Sequence, residues 1–164
     1  MNNKPIDQLK LAESLRLLNE QLLLMDAPST ELVVCGGSAL IATGLVQRTT
    51  RDIDILAFME ANELKDFEPL PYYLLRAAAN VARTLELPED WLNNGPAMQF
   101  RMGLPAGFQK RLHTIVVGEK LTMLYIDRYD QIFFKTYASA DRGGYHVSDL
   151  RAINPSDEEL IAAA

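Results

Sequence analysis

Residues 52–57, Asp52-Ile53-Asp54-Ile55-Leu56-Ala57, alternate polar and apolar side chains. A period of two belongs to an extended strand whose faces meet different surroundings, so this chain must build a sheet with core beneath one side of the segment. Ile53 and Ile55 face that core. Asp52 and Asp54 share the opposite face, about 6–7 Å apart at the ~3.3 Å rise of a strand. Two carboxylates held so close repel each other, and a divalent cation is the usual resolution, since hard oxygen ligands suit Mg²⁺.

The rest of the chain supplies the partners of this strand. Leu11, Leu15, Leu18, Leu22 and Met25 recur at spacings of four and three, which predicts an amphipathic helix over residues 6–25. Glu31-Leu32-Val33-Val34-Cys35 reads as a buried strand punctuated by Gly36-Gly37, and Ser38 suits the cap of a short helix closed by Gly44. Residues 59–68 and 72–86 are helix-compatible, broken by Pro69 and Pro71 and stopped by Pro88. From Trp91 to Leu112, clustered glycines and prolines read as loop. His113 to Val117 and Leu121 to Ile126 form a hairpin around Gly118-Glu119-Lys120. Helix returns over 128–140 with Tyr129, Phe133 and Tyr137 on one stripe, and Ser156 with Glu159 has capping-box spacing for a last helix. This order implies an α/β or α+β fold with a small mixed sheet flanked by helices. The chain of 164 residues is long enough for one domain: an N-terminal helix (1–28), a core (31–126) and C-terminal helices (127–164).

Composition narrows the function classes. No stretch approaches the ~20 apolar residues of a membrane span, and Met1-Asn2-Asn3-Lys4-Pro5 leads into a charged segment rather than a signal-peptide core, so a cytoplasmic address without membrane partners is expected. The single cysteine, Cys35, excludes an internal disulfide or a multi-cysteine zinc site and suits a buried filler at a strand end. A net charge of −6 argues against broad nucleic-acid coating, which draws on many Lys/Arg–phosphate contacts. Yet residues 99–142 hold seven basic and four acidic groups, enough for a local phosphate or RNA-end patch. His113 and His146, the only histidines, read as structural or surface residues.

The chemistry lies in the order of two motifs. Gly36-Gly37-Ser38, between strand and helix, frees backbone N–H groups, admits a ligand without a Cβ clash and adds a hydroxyl donor. Asp52-Ile53-Asp54 follows within a short distance. A phosphate cradle beside a metal site is the pairing that phosphoryl or nucleotidyl transfer needs.

Gly36-Gly37-Ser38 with Thr50-Arg51-Asp52-Ile53-Asp54 resembles the signature of the nucleotidyltransferase superfamily that includes DNA polymerase beta, and most nearly the AbiEii-type abortive-infection toxins and related minimal bacterial proteins. Ile132-Phe133-Phe134-Lys135-Thr136-Tyr137-Ala138, the run from Asp141-Arg142 to Asp149-Leu150, and Trp91-Leu92-Asn93-Asn94-Gly95-Pro96 extend the resemblance over about 31–162. It implies metal binding by Asp52 and Asp54, nucleotide binding by Gly36, Gly37, Ser38, Arg51, Lys135 and Arg142, and catalytic roles for Lys135 and Asp149. From the residues alone, Lys135 also reads as a solvent-facing helix position, and Asp149 as a cap or a partner of Arg142 or Arg151. Tyr145 stands where that family's pattern usually has Lys. The superfamily's third carboxylate is assigned to Asp127, with Glu119 a poorer candidate; Asp127 also reads as an N-cap.

The expected function is therefore a Mg²⁺- or Mn²⁺-dependent nucleotidyltransferase that moves a nucleotide from an NTP to a hydroxyl of an RNA such as tRNA, or of a protein. The resemblance extends this to the toxin of a toxin–antitoxin pair with a cognate antitoxin. The alternative is a non-catalytic binding or interaction module of the same fold.

Overall fold

The computed structural model describes residues 5–164, so the reading of Met1–Lys4 lies outside the described residues. The long amphipathic helix forms as α1 (Gln8–Leu24), capped by Asp7, whose carboxylate accepts from the Lys10 N–H at 2.8 Å. Its stripe of Leu11, Leu15, Leu18 and Leu22 is buried. Then come β1 (Thr30–Cys35), α2 (Gly36–Ala42), β2 (Ile53–Glu60), β3 (Glu63–Lys65), α3 (Tyr72–Leu85), β4 (Leu92–Asn93), α4 (Ala97–Met102), β5 (His113–Val116), β6 (Leu121–Tyr125), α5 (Arg128–Arg142), α6 (Tyr145–Ile153) and α7 (Asp157–Ala163). The small mixed sheet runs β3-β2-β1-β6-β5, with β4 alongside the start of β2. β1 is antiparallel to β2 and parallel to β6. This is the α+β class expected from the order of elements.

Both faces of the sheet are covered. Leu32, Val34, Ile53, Ile55, Met123 and Tyr125 join the larger core with α1 and α3, while Val33, Cys35, Leu56 and Leu124 pack with Phe108 and Phe134 in a smaller one. The alternation that begins at Asp52 stops at Ile55. Val33 pairs with Ala57 and Val34 with Ile55, leaving Leu56 as an extra residue, so Leu56 and Ala57 both enter the smaller core. Such a bulge re-aims the strand it interrupts. Here it lies just beyond Asp54.

Three local expectations are corrected. Residues 59–68 are not helical: β2 continues to Glu60 and turns back into β3 through Ala61 and Asn62, whose φ values of +48° and +64° a helix cannot contain. The stretch 91–112 is not mostly loop; it holds β4, α4 and a 3-10 turn at Phe108–Arg111, anchored by fully buried Trp91, whose Nε1–H donates to the Ala78 carbonyl at 2.9 Å. Ser38 does not cap α2, because the helix already starts at Gly36 and Ser38 lies inside it, fully buried. The capping box of Ser156 and Glu159 forms on α7 as the spacing predicts. No helix among the described residues is long and apolar enough to cross a membrane.

Candidate functional site

β1, β6 and the start of β2 bring three chain segments to one end of the sheet, and the acid pair lies there. Ile53 and Ile55 are buried in the larger core, which anchors the strand, while Asp52 and Asp54 are only partly covered. Burial, then the neighbouring Asp52, pushes the Asp54 carboxyl up to about 6. Asp52 is likewise raised, by burial and then by Asp90. A pair of carboxylates that resists ionisation in this way is a donor set that a cation would relieve.

The glycines are explained by this pair. Gly36 has φ +73°, and a Cβ there would stand 2.4 Å from the Asp54 Oδ2. A Cβ on Gly37 would meet the Arg48 guanidinium at 2.7 Å and the Thr50 hydroxyl at 2.8 Å. The two glycines are thus the start of a helix onto which Asp54 and Arg48 close, rather than a free turn ahead of it. The Gly36→Ala variant is expected to lose about 1–3 kcal/mol of stability through the left-handed φ and the displaced carboxylate. Thermal unfolding checks it; an unchanged melting temperature would contradict the cradle.

Behind the acids lies an ion network that the sequence did not announce. Arg48 donates to Asp149 through Nε at 2.7 Å and through its second terminal nitrogen at 2.8 Å, and Lys135 donates to the same carboxylate at 2.8 Å. Lys135 and Asp149 are both buried, so Lys135 is not a solvent-facing residue. Burial alone would raise Asp149, but the hydrogen bonds from Arg48 and Lys135 outweigh it and hold the carboxyl below its ordinary value. The charge of Lys135 also reaches Asp54 and opposes part of its upward shift. Asp149 pairs with neither Arg142 nor Arg151: Arg142 lies beside Asp141 at 3.2 Å and is mostly exposed. Arg51 is exposed too, 3.9 Å from Asp90.

Asp127 does not join the acid pair. It caps α5 by accepting from the Tyr129 N–H at 3.2 Å and meets the His113 Nε2 at 2.7 Å. Among the described residues no group of three or more His, Cys, Asp or Glu side chains converges as a metal site. The neighbour of Asp54 on the outer side of β2 is instead Asn93 of β4, its register partner, whose side chain offsets part of the rise of the carboxyl. Asp52 and Asp54 are thus the two carboxylates that could hold a cation here, while the Asn93 amide oxygen accepts from the Gly95 N–H at 2.8 Å.

Two polar groups near the site have no partner. The Ser38 hydroxyl is fully buried without a hydrogen bond, and so is the Nδ1 of His146. Burial, then Lys135 and Arg142, holds that imidazole below its ordinary value. Arg48, Asn93 and His146 had no decisive sequence signal: Arg48 and Asp149 are 101 positions apart.

A family model described as "Nucleotidyltransferase of unknown function (DUF6036)" matches residues 11–162. No curated protein and no solved structure matches the chain.

Proposed function

The chain belongs to this family of nucleotidyltransferases, and on that premise we propose that it moves a nucleotide from an NTP to a hydroxyl of an RNA or a protein with the help of Mg²⁺ or Mn²⁺. The observation that carries the reading is the pair of partly covered carboxylates at the start of β2, Asp52 just ahead of the strand and Asp54 within it against Gly36, both raised first by burial, with Asp52 adding to the rise of Asp54. Those two carboxylates would hold the cation, which supplies charge neutralisation at the reacting phosphate. The acceptor oxygen forms a bond to the α-phosphorus as the α–β phosphoanhydride bond breaks, pyrophosphate leaves, and the hydroxyl proton passes to solvent.

Lys135 supports the same reading. One of its three donors is taken by Asp149, which fixes the ammonium in place and leaves the other two for phosphate oxygens. The unpartnered Ser38 hydroxyl, next to Gly37, offers a further donor. Arg51 and Arg142 are exposed cations suited to the polyphosphate or to an RNA end.

A second reading is favoured by Asn93. With a carboxamide beside Asp54 and Asp127 committed to a cap, the fold can serve as a nucleotide-binding module without transfer. Purified protein incubated with each α-labelled NTP, Mg²⁺ or Mn²⁺, and total RNA or protein is expected to move label onto an acceptor. Nucleotide binding with no label transferred under any combination would select the module. A toxin role with a cognate antitoxin predicts growth arrest on expression, relieved by Asp52→Ala.

A further inference from the structure

Tyr145 is the first residue of α6, and the corner that places it is built from two glycines. Gly143 and Gly144 have φ values of +62° and +63°, so the chain reverses from α5 into α6 through a conformation that L side chains rarely adopt. The ring that emerges is 65% exposed. It nonetheless has neighbours: the imidazole of the adjacent His146 lies against it at 4.0 Å between centroids with the rings tilted by 37°, and Lys135 Nζ lies 5.4 Å from its centre. Lys135 also binds Asp149 at 2.8 Å and its charge reaches Asp54, so the ring and the acid pair share this ammonium as a neighbour. The charges of Asp54 and Asp52 act on the phenol too, after burial, and raise it.

We propose that Tyr145 is the platform on which the base of the bound nucleotide stacks, so that this site grips a nucleoside triphosphate by its base as well as by its phosphates. The inference rests on the nucleotidyltransferase reading and deepens it. A large ring in contact with His146, open to solvent and beside the Lys135 ammonium, matches the two ends of such a ligand. A stack suits any base, because every base has a π face. Purines, with the larger face, are expected to bind more tightly than pyrimidines.

The test is calorimetric titration of the full chain, in Mg²⁺, with ATP, CTP and inorganic tripolyphosphate. Tyr145→Ala is expected to weaken ATP about tenfold, the size of one base–aromatic stack. Tripolyphosphate binding stays at the wild-type level, which also reports that the variant is folded, and Tyr145→Phe binds ATP as the wild type does. The platform is overturned if Tyr145→Ala binds ATP as tightly as wild type, or loses tripolyphosphate to the same degree as ATP. Wild-type protein that binds tripolyphosphate and ATP equally also removes the base from recognition, while leaving a phosphate site and the proposed reaction standing. If neither binds, the nucleotidyltransferase reading fails and the platform with it.

Discussion

Asp54→Asn is expected to abolish nucleotide transfer, by at least about a thousandfold, while leaving the protein folded and as stable as the wild type or more so. The first half follows from the donor set: a carboxamide keeps the shape of Asp54 but removes one of the two charges that would hold the cation and offset the developing phosphate charge. The second half follows from the sign of the shift. The Asp54 carboxyl is raised from 3.8 to about 6, first by burial and then by Asp52. A group whose folded value lies above its unfolded one contributes stability only while protonated; that contribution is present below about pH 4 and lost as pH rises through about 6. At pH 7 the ionised Asp54 therefore works against the fold, and a neutral Asn removes the repulsion with Asp52. Steady-state transfer, Mn²⁺ titration and thermal unfolding of the metal-free variant together check this. A variant that keeps its transfer rate, or that loses several degrees of melting temperature, would show that Asp54 has been given the wrong role.

The parts of this molecule that were legible in the sequence are those decided by neighbours within a few positions. The leucine stripe of α1, the hairpin of β5 and β6, and the capping box of α7 each depend on side chains no more than a turn or a tight loop apart. Ile53 and Ile55 were legible as core residues for the same reason, since the period of two puts both in the larger core while Asp52, just ahead of β2, and Asp54 stay partly covered. Residues 59–68 were misread because Ala61 and Asn62 adopt left-handed geometry without a glycine to announce it. Lys135 was open to two readings because a lysine in mid-helix normally faces water; what buries it is Asp149, on the following helix, with Arg48 arriving from the far side of the fold. The stripe of Tyr129, Phe133 and Tyr137 was visible, but α5 instead buries Ile132, Phe134, Lys135 and Ala138, among others, and leaves Tyr129 and Tyr137 in solvent. Asn93 beside Asp54 is a matter of sheet register across 39 positions, which no local pattern encodes.

Asp149→Ala is expected to be the most destabilising single substitution at the site, by about 3–5 kcal/mol, because it removes the common acceptor of two cations and leaves buried Lys135 uncompensated. Resemblance assigns this carboxylate a catalytic role; its geometry makes it the positioning residue for Lys135 and Arg48. The two roles predict different results. A residue needed only for chemistry could be replaced with activity lost and the melting temperature unchanged, whereas an anchor takes the fold with it. The pH dependence separates them further. Asp149 is held below its ordinary value of 3.8, so the stability it contributes is fully present above that pH and is lost as pH falls through the lowered folded value. Wild-type protein should therefore lose this contribution on acidification, and Asp149→Ala should lack that component of the acid transition. Lys135→Met offers the complementary check: removing the buried ammonium while filling its volume relieves part of the defect when combined with Asp149→Ala, so the double variant should be more stable than the Asp149→Ala single variant. Equal melting temperatures for wild type and Asp149→Ala, or a double variant less stable than the single one, would return Asp149 to the chemistry and take Lys135 out of its grip.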